Sequence, residues 1–386
     1  MRIAVLGETF PGERRVALTP ANVPALLKAG AEVWVESQAG ASAGFPDSAY
    51  TDKGARILSV RDELFAADIL LQVRAPGANP TAGQSDLPRY RAGQVVVGAA
   101  DPLGNPAGLL EFAATGATLF ALELIPRITR AQSMDILSSQ ATIAGYRAVL
   151  LAALELPKMF PMMMTAAGTL SAARVLIVGV GVAGLQAIAS ARKLGGIVSA
   201  YDVRPACREQ VESLGAKFVE LPLEASASED KGGYAKAMDE AFYQRQRELL
   251  GDVVAQSDVV ITTAAIPGKK SPLLVTANAV TRMQPGSVVV DLAAERGGNC
   301  ELTRADQRTV AHGVTLLGPT NLPAEVPYHA SQMFSNNVAK FLGNLFLKGG
   351  WVVNEADEIV RETMATQGGE VVLPRLRDLL QLPPRS

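Results

Sequence analysis

The chain has 386 residues, with 36 lysines and arginines against 38 aspartates and glutamates, and a formal net charge of −2. This length accommodates two domains, and 48% hydrophobic with 19% charged residues is typical of a folded globular protein. The balanced charge argues against nucleic acid as a partner. Cys207 and Cys300 are the only cysteines, and their wide separation excludes a disulfide framework or a metal site as an organising feature.

The first series of predicted elements covers about the first 137 residues. No signal-peptide pattern precedes its first strand, so we expect a protein of the reducing cytoplasm. Apolar runs alternate with helix-like stretches such as residues 21–29, where Thr19 and Pro20 supply a typical N-cap and first helical residue. Continuous apolar strands between helices indicate a parallel sheet covered on both faces. The predicted strands are residues 2–6, 32–35, 69–73, 95–98 and 119–122.

A second series begins near Arg174 and predicts another α/β unit. Helical periodicity over residues 138–158 predicts a long helix that joins the two units, and residues 328–347 predict a helix that returns to the first unit. We therefore expect an α/β protein of two Rossmann-like, doubly wound domains with mainly parallel sheets, the first of them discontinuous. The expected domains are residues 1–137 plus 328–386 and residues 138–327. The predicted strands of the second series are residues 175–178, 197–201, 217–219, 259–263, 288–291 and 315–317.

The most specific motif is GVGVAG, which starts at Gly179 between a predicted strand and a helix-forming run. In a dinucleotide-binding βαβ unit, the first glycine allows the tight turn, Gly181 lets the pyrophosphate approach the backbone, and Gly184 allows the helix to pack closely on the strand. Asp202 ends the next predicted strand, 18 positions beyond Gly184, where a carboxylate binds the adenosine ribose. The alternative is a glycine-rich turn that binds nothing.

The residues around Asp202 bear on nucleotide specificity. A carboxylate at this position repels a 2′-phosphate, so the sequence favours NAD(H) over NADP(H). Arg204 lies two residues further on and acts in the opposite direction, because an arginine here is able to pair with such a phosphate.

A polar segment, RITRAQSMD, runs from Arg127 to Asp135 and precedes the second series. It contains two cations, a carboxylate, an amide and two hydroxyls within nine residues. Arg127, Gln132 and Asp135 are candidates to hold a nicotinamide carboxamide and its ribose, with Ser138 adding a hydroxyl. The alternative is a solvated loop with a helix N-cap at Ser133.

Three further features are candidates for the site. Residues 223–236 form a long polar segment with a double glycine before Tyr234, which indicates either a lid or a plain surface connection. Residues 262–269 close a strand at the carboxyl edge of the sheet, which faces the cofactor in this fold. Glu295 is a candidate catalytic carboxylate, with a surface ion pair as the alternative.

The chain is poor in residues that transfer protons. Its only histidines are His312 and His329, and its first 150 residues contain no histidine and only two lysines, Lys28 and Lys53. Oxidation of an amino or hydroxy acid removes a proton as well as a hydride and needs a base. Direct hydride transfer between two nicotinamides requires only that the rings be close and oriented. The sequence therefore favours the second chemistry.

Several motifs together closely resemble the NAD(H)-binding component of proton-translocating NAD(P) transhydrogenases, in the alanine dehydrogenase/transhydrogenase superfamily. The resemblance covers nearly the whole chain, and RAQSMD and MMMTAAGT are not generic Rossmann patterns. The motifs are RITRAQSMDILSSQ (127–140), AGYRAV (144–149), FPMMMTAAGT (160–169), GVGVAGLQAIA (179–189), EQVESLGAKF (209–218), GGYAK (232–236) and ITTAAIPGK (261–269).

This resemblance implies hydride transfer from NADH bound by this chain to NADP⁺ on a partner subunit, coupled to proton translocation. It implies a homodimer, an NADP(H)-binding component and membrane-spanning proton-channel subunits, through which the chain attaches to the cytoplasmic face of the bacterial inner membrane. Arg127, Gln132 and Asp135 are implied as the catalytic nicotinamide-lining residues. The implied cofactor contacts are these three with Ile128, Thr129, Ser133, Met134, Ser138, Gly179, Val180, Gly181, Val182, Ala183, Gly184, Tyr201, Asp202, Val203, Arg204, Gly233, Tyr234, Gln246, Ala264, Ala265 and Ile266.

The chain also resembles alanine dehydrogenase, and this is the alternative function. GERRVALTP (12–20) is shared, and Arg15 matches that enzyme's substrate-binding arginine. However, Arg74 stands in place of the substrate lysine, residues 97–99 in place of the catalytic histidine, and Glu295 in place of the catalytic aspartate. These departures count against amino-acid oxidation. A third possibility is a non-catalytic module that senses NAD.

Overall fold

The computed structural model describes residues 1–222, 239–266, 268–347, 350–351 and 353–385. The chain divides into two compact units. Unit 1 consists of Met1–Gln140 and Pro323–Ser386, and unit 2 of Ala141–Leu322. Unit 1 is therefore built from two separate stretches of sequence.

Each unit contains one large sheet with helices packed on it. The strands are β1 (Arg2–Val5), β2 (Glu32–Glu36), β3 (Arg56–Leu58), β4 (Ile69–Arg74), β5 (Val95–Ala99), β6 (Thr118–Ala121), β7 (Met163–Thr165), β8 (Gly168–Leu170), β9 (Arg174–Val178), β10 (Ile197–Tyr201), β11 (Lys217–Phe218), β12 (Val259–Thr262), β13 (Val288–Asp291), β14 (Arg308–Ala311), β15 (Val314–Leu317), β16 (Phe346–Leu347), β17 (Gly350–Trp351), β18 (Met364–Gln367) and β19 (Glu370–Val371). The α-helices are α1 (Val23–Lys28), α2 (Asp47–Thr51), α3 (Arg61–Leu64), α4 (Pro106–Ala113), α5 (Ile136–Glu155), α6 (Val182–Lys193), α7 (Cys207–Ser213), α8 (Glu240–Ala255), α9 (Ala277–Thr281), α10 (Pro327–Leu345), α11 (Glu358–Thr363) and α12 (Pro374–Leu379).

The sheet of unit 1 has the strand order β19-β18-β6-β5-β4-β1-β2-β3. Strands β1 to β6 are parallel, whereas β18 is antiparallel to β6 and β19 to β18. The six parallel strands follow the order of the doubly wound dinucleotide fold, which reverses between β1 and β4. In such a sheet, ligands bind at the carboxyl ends of the strands near the reversal.

Apolar side chains cover both faces of this sheet. One face packs against α10 through Phe334 and Phe341, and the other packs against α4 through Phe112. Truncating a buried phenylalanine to alanine typically costs about 3–5 kcal/mol. Helix α10 follows unit 2 in sequence, yet its phenylalanines belong to the core of unit 1.

The sheet of unit 2 has the strand order β11-β10-β9-β12-β13-β15-β14. Only the edge strand β14 is antiparallel to its neighbour. Strands β12 and β13 are buried at every position, as expected for parallel strands covered by helices on both faces. The order reverses between β9 and β12, so the carboxyl ends of these strands mark the expected ligand position.

A hairpin of β7 and β8 stands apart from the large sheet of unit 2. The two strands pair antiparallel, and all six residues are exposed. Met164 is 76% exposed and Met162, just before β7, is 62% exposed. Contiguous exposed apolar side chains of this kind mark interaction surfaces more often than scattered ones do.

The predicted α/β class with mainly parallel sheets is confirmed. The sequence analysis did not predict β3, the β7–β8 hairpin, the edge strand β14 or any of the strands β16 to β19. The expected helix start at Thr19 differs in detail, because Pro20 begins a 3₁₀ turn and α1 begins only at Val23. Thr19 makes no side-chain cap, and its hydroxyl instead lies 3.3 Å from Ser335 Oγ.

Helix α5 is long and apolar enough to cross a membrane by length and composition alone. It is the one such helix in the described part of the chain, and one is weak evidence, because the core helices of water-soluble proteins have the same properties. Within unit 2, Ala148, Val149 and Ala152 of α5 are buried in a core cluster with β9. These contacts are those of a core helix.

Candidate nucleotide-binding site

The glycine-rich turn of unit 2 connects β9 to α6. Gly179 has φ of +96°, and a Cβ there would lie 2.8 Å from the Ala264 nitrogen. A Cβ on Gly184 would lie 2.0 Å from the Gly179 carbonyl oxygen, whereas Gly181 is exposed and no described residue lies within 4 Å of its Cβ position. Gly179 and Gly184 are therefore required by the turn itself, and Gly181 leaves space for a ligand to approach the backbone.

The first turn of α6 provides the expected anion site. Gly181 caps the helix, and its carbonyl accepts the first helical hydrogen bond from the Leu185 nitrogen. The N–H groups of a first turn have no acceptor within the helix, and with the helix dipole they favour a phosphate. Gly145 of α5 fixes this turn, because a Cβ on Gly145 would lie 2.1 Å from the Ala183 carbonyl oxygen.

Asp202 lies directly after β10, beside the glycine-rich turn. Its Oδ2 accepts a hydrogen bond from the Val180 nitrogen at 2.7 Å. Its Oδ1 accepts from the Arg204 nitrogen, and the Arg204 guanidinium reaches both carboxylate oxygens at 2.9 Å. The carboxylate is thus held in place beside the turn before any nucleotide binds.

Tyr201 and Gln246 form a buried polar pair next to Asp202. The Gln246 amide donates to the Tyr201 hydroxyl at 2.7 Å, and burial raises the pKa of Tyr201 to about 12. Gln246 is 2% exposed, and its Oε1 has no hydrogen-bond partner among the described residues. A buried acceptor without a partner is costly, and a bound ligand with an N–H or O–H group would satisfy it.

The loop that follows β12 borders the glycine-rich turn. The Thr263 hydroxyl donates to the Gly179 carbonyl at 2.9 Å. Asn299 pairs with both backbone groups of Ala264, accepting from its nitrogen at 2.9 Å and donating to its oxygen at 2.8 Å. Asn299 is fully buried and fixes the loop that carries the predicted residues Ala264, Ala265 and Ile266.

Asp291 supports Asn299 from the end of β13. The carboxylate is fully buried and accepts five hydrogen bonds, from the Thr262 and Thr303 hydroxyls and from three backbone N–H groups. One of those N–H groups belongs to Asn299. The sequence analysis missed the positioning role of Asn299, although both residues lie in the DLAAERGGN segment that follows β13.

The 127–135 segment belongs to unit 1 and contains a 3₁₀ helix, Thr129–Met134. Ala131 and Met134 are buried and anchor it, whereas Arg127 and Gln132 are exposed. Helix α10 also holds the segment, because the Asn337 amide donates to the Ser133 carbonyl at 2.9 Å.

Asp135 is the cap of α5. Its carboxylate accepts from the Ser138 nitrogen at 2.9 Å and from the Ser138 hydroxyl at 2.5 Å. The alternative interpretation of this segment, with an N-cap at Ser133, is therefore wrong on the cap, because the helix begins three residues later at Ile136. Replacing an Asp cap with alanine typically costs about 1 kcal/mol, so Asp135 has a structural role besides any role toward a ligand.

A second charged cluster lies in unit 1 near the reversal between β1 and β4. Glu13 accepts from Arg15 through both carboxylate oxygens at 2.7 Å and from Arg74 at 3.2 Å. The Arg74 guanidinium also lies over the Phe10 ring at 4.1 Å. Two guanidinium groups thus pair with one buried carboxylate. The charge of Glu13 neutralises part of the positive charge that would otherwise attract the carboxylate of a substrate.

The predicted site residues are distributed over both units. Unit 1 holds Arg127, Ile128, Thr129, Gln132, Ser133, Met134, Asp135 and Ser138, and unit 2 holds Gly179 to Gly184, Tyr201 to Arg204, Gln246 and Ala264 to Ile266. Gly233 and Tyr234, with the rest of residues 223–236, lie outside the described residues. Glu295 is exposed in a 3₁₀ turn of unit 2. Among the described residues, no group of three or more His, Cys, Asp or Glu side chains is placed to hold a metal ion.

Two family models match the chain. Alanine dehydrogenase/PNT, N-terminal domain, matches residues 4–144, and Alanine dehydrogenase/PNT, C-terminal domain, matches residues 148–374. The chain belongs to the alanine dehydrogenase/PNT family. The resemblance inferred from the sequence motifs is confirmed.

Individual family members give more detail. The chain is 46% identical over 380 residues to an NAD(P) transhydrogenase alpha subunit of Rhodospirillum rubrum, covering 97% of this chain and 99% of that protein. The crystal structure of a transhydrogenase from Sinorhizobium meliloti is 42% identical, with a TM-score of 0.84, 97% of this chain covered and 100% of that chain. Alanine dehydrogenase of Bacillus subtilis is 28% identical over 392 residues, covering 98% of this chain and 95% of that protein.

Unit 2 fits the NAD(H) that this family implies. The glycine-rich turn forms a cradle that is open at Gly181, where a side chain would fill the space through which a ligand approaches the backbone. Asp202 is buried at the ribose position of the fold, and the orphaned Gln246 Oε1 lies one hydrogen bond from Tyr201.

Proposed function

We propose that this chain is the NAD(H)-binding component of a proton-translocating NAD(P) transhydrogenase. The observation that carries the proposal is 46% identity to the Rhodospirillum rubrum transhydrogenase alpha subunit over almost the full length of both chains. The reaction would transfer a hydride from NADH to NADP⁺ bound on a partner subunit. The glycine cradle and Asp202 of unit 2 support NAD(H) binding independently of that similarity.

The geometry of unit 2 supports the proposed nucleotide-binding roles. The N–H groups at the start of α6 would hold the pyrophosphate. Asp202 would accept hydrogen bonds from the adenosine ribose, with Val180 fixing its orientation. Asn299 would act as a positioning residue, because it holds the Ala264 backbone beside the glycine-rich turn.

We assign orientation of the nicotinamide to the 127–135 segment of unit 1, as the RITRAQSMD motif implies. The exposed Arg127 and Gln132 would bind its carboxamide and ribose. Asp135 would contribute through its place at the cap of α5. When bound, NADH supplies the hydride, and these residues only orient the ring.

The positions of the two histidines support a mechanism without a protein base. His312 lies in the turn that precedes β15, at the amino edge of the unit 2 sheet, whereas the glycine-rich turn lies at its carboxyl edge. His329 is exposed on α10 of unit 1. Direct hydride transfer moves no proton to or from a side chain and depends on proximity and orientation.

The proposed assembly follows from the similarity to a named subunit. We propose that the chain forms a homodimer and docks with an NADP(H)-binding component and with membrane-spanning proton-channel subunits. It would then attach peripherally to the cytoplasmic face of the bacterial inner membrane. The exposed methionines of the β7–β8 hairpin support a contact with a second protein surface.

Alanine dehydrogenase activity is the second candidate, supported by 28% identity to the Bacillus subtilis enzyme. The cluster around Glu13 weighs against it, because Arg15 and Arg74 are both paired to that buried carboxylate. In addition, residues 1–140, the first of the two stretches that form unit 1, contain no histidine to act as the base.

A reconstituted hydride-transfer assay tests the proposal. The purified chain is incubated with NADH and a nicotinamide acceptor, first alone and then with an NADP(H)-binding transhydrogenase component. We expect transfer only in the presence of the component. NADH formation from NAD⁺ and L-alanine by the chain alone would establish the second candidate, and failure to bind NADH would refute both.

A further inference from the structure

Arg204 forms an unusually well-aligned ion pair with Asp202 at the expected ribose position. Its Nε donates to Oδ1 and its Nη2 to Oδ2, both at 2.9 Å. The two side chains are only 14% and 6% exposed. A bidentate pair that is largely shielded from water is stronger than a surface ion pair and fixes both groups.

The Arg204 guanidinium also contacts the glycine-rich turn. Its Nη2 lies 3.3 Å from the Val180 carbonyl oxygen, while the Val180 nitrogen donates to Asp202 Oδ2. Carboxylate, guanidinium and turn thus form one closed hydrogen-bonded group. The guanidinium lies one hydrogen bond from the carboxylate that would bind the ribose hydroxyls, within reach of a substituent on the 2′ oxygen.

Two residues with opposite effects on nucleotide choice are therefore joined. A carboxylate repels a 2′-phosphate, and an arginine binds it, often through two parallel hydrogen bonds. While Asp202 is present, it both repels the phosphate and engages the guanidinium that would bind it. Removing the carboxylate charge would eliminate both effects at once.

We propose that Arg204 is a latent 2′-phosphate-binding residue, and that Asp202 excludes NADP(H) chiefly by keeping Arg204 engaged. This inference rests on the proposed NAD(H) function. It matters for that function, because a transhydrogenase that accepted NADP(H) at this position would exchange hydride between identical nucleotides.

A purely structural role for the ion pair is the competing explanation. Unit 1 contains a similar arrangement at the end of β2, where Glu36 accepts from the Gly7 nitrogen at 2.6 Å and pairs through one oxygen with Arg61. Arg61 also pairs with Asp86 at 2.6 Å. If the unit 2 pair were only such a brace, releasing Arg204 would destabilise the turn without creating affinity for phosphate.

Binding of two small probes distinguishes these explanations. 5′-AMP and adenosine 2′,5′-bisphosphate differ only in the 2′-phosphate, and calorimetry gives their affinities for the full chain. In the Asp202→Asn variant, the side chain keeps its shape and its oxygen still accepts from Val180. The carboxylate charge is gone, and the new NH2 group faces the Arg204 backbone and Nε donors instead of accepting from them, so the bidentate ion pair is lost. We expect affinity for the bisphosphate to rise about tenfold to a hundredfold, and affinity for 5′-AMP to fall.

The double variant Asp202→Asn with Arg204→Gln is the matched control, and its bisphosphate affinity should return to near the wild-type value. Arg204→Gln alone should give no gain. The gain in Asp202→Asn should weaken as salt is raised, because it depends on charge pairing. Asp202→Ser provides a second route to the same result if the Asn variant folds poorly.

An equal gain in the single and double variants would overturn the inference, because charge repulsion by Asp202 would then explain selectivity without Arg204. No gain in either Asp202 variant would also overturn it. Failure of the wild-type chain to bind NADH would instead refute the proposed function, so the two failures are distinguishable.

Discussion

Gln132 is exposed on a 3₁₀ helix that is anchored by the buried Ala131 and Met134. Shortening it to asparagine should leave NADH affinity almost unchanged, because the proposed pyrophosphate and adenosine contacts in unit 2 would supply most of the binding. It should slow single-turnover hydride transfer substantially, because a donor carbon displaced by about 1 Å can cost on the order of a hundredfold in rate. Stopped-flow transfer and NADH titration measure the two quantities separately.

Gln284→Asn is the matched control for this experiment, because Gln284 is exposed in unit 2 near the amino end of β13. Gln284→Asn should change neither the NADH affinity nor the rate of hydride transfer. If Gln132→Asn lowered affinity and rate in parallel, Gln132 would contribute to binding rather than to orientation.

Glu123 is a buried carboxylate whose ionisation opposes folding. Its Oε1 accepts from the Ala100 and Asp101 nitrogens, whereas its Oε2 has no partner among the described residues. Burial, with a smaller effect of the Asp101 charge, raises its pKa from 4.5 to about 7. The folded state therefore binds a proton more tightly than the unfolded state, and stability falls as the pH rises from about 4.5 to 7.

Replacing Glu123 with glutamine should remove this penalty. The variant should be more stable than the wild type by about 1–3 kcal/mol at pH 8.5, and the difference should shrink toward zero near pH 4.5. Urea unfolding at several pH values measures the free energy of unfolding. A stability difference that does not change with pH would show that Glu123 is not the titrating group.

Site residues whose role depends on neighbours close in sequence were predicted, and those whose role depends on distant neighbours were not. Gly179 and Asp202 were predicted because a positive φ and a carboxylate after the second strand follow from a short motif. Asn299 was not predicted, because its partner Ala264 lies 35 positions away in sequence. The alternative interpretation of the 127–135 segment has an N-cap at Ser133, whereas the cap is Asp135. Both residue types are good caps, and only the backbone decides between them.

At the level of elements, α5 and α6 pack closely through Gly145. A Cβ there would lie 2.1 Å from the Ala183 carbonyl oxygen, a backbone atom that cannot move without shifting the start of α6. Gly145→Ala should lower stability by about 1–3 kcal/mol. It should also weaken NADH binding, because the same turn provides the pyrophosphate site. Thermal unfolding and NADH titration are the measurements.

Gly343 gives a matched control within a helix. It is exposed in α10, and nothing lies within 4 Å of its Cβ position. Gly343→Ala should therefore stabilise the protein by about 0.5–1 kcal/mol, the usual helix-propensity gain. If both variants were more stable than the wild type, the inference that α5 and α6 are in close contact at Gly145 would be wrong.

The elements that the sequence predicted are those with a strong apolar pattern. β12 and β13 are buried at every position, and such runs are recognisable without structural information. β3 has three residues, and the β7–β8 hairpin is exposed throughout. Three residues are too few to show a pattern, and a strand without a buried face has no alternation to detect, so these elements were missed.

At the level of the whole molecule, we expect the β7–β8 hairpin to form the contact of the proposed homodimer. Residues 159–173 contain no charge, and several methionines among them are exposed. Replacing Met162 and Met164 with aspartate should shift the sedimentation equilibrium from dimer toward monomer, because two charges would be buried at the contact. Leu379→Asp, at an exposed leucine of α12, should leave the equilibrium unchanged. Equal dissociation constants for wild type and double variant would place the dimer contact elsewhere.

The proposed chemistry makes a final prediction about pH. If the chain only orients a nicotinamide, single-turnover hydride transfer with saturating nucleotides should be nearly flat from about pH 6 to 9. The measurement uses a soluble complex of this chain with an NADP(H)-binding component, because a proton-conducting partner would impose its own pH dependence.

Two buried carboxylates make this a demanding test. Burial, reinforced by the Glu13 charge and opposed by that of Arg15, raises the pKa of Glu8 to about 8, and Glu123 has its pKa near 7. Both titrate within the measured range, so stability should change with pH while the transfer rate does not. If the rate changed with pH because one of these carboxylates titrates, that pH dependence would disappear when the same residue is replaced, in Glu8→Gln or in Glu123→Gln. Such a result would reveal an indirect effect through the fold of unit 1. A bell-shaped profile that persists in both variants would reveal a hidden acid or base, with Asp135 and Glu295 as the first candidates, and the orientation-only mechanism would be wrong.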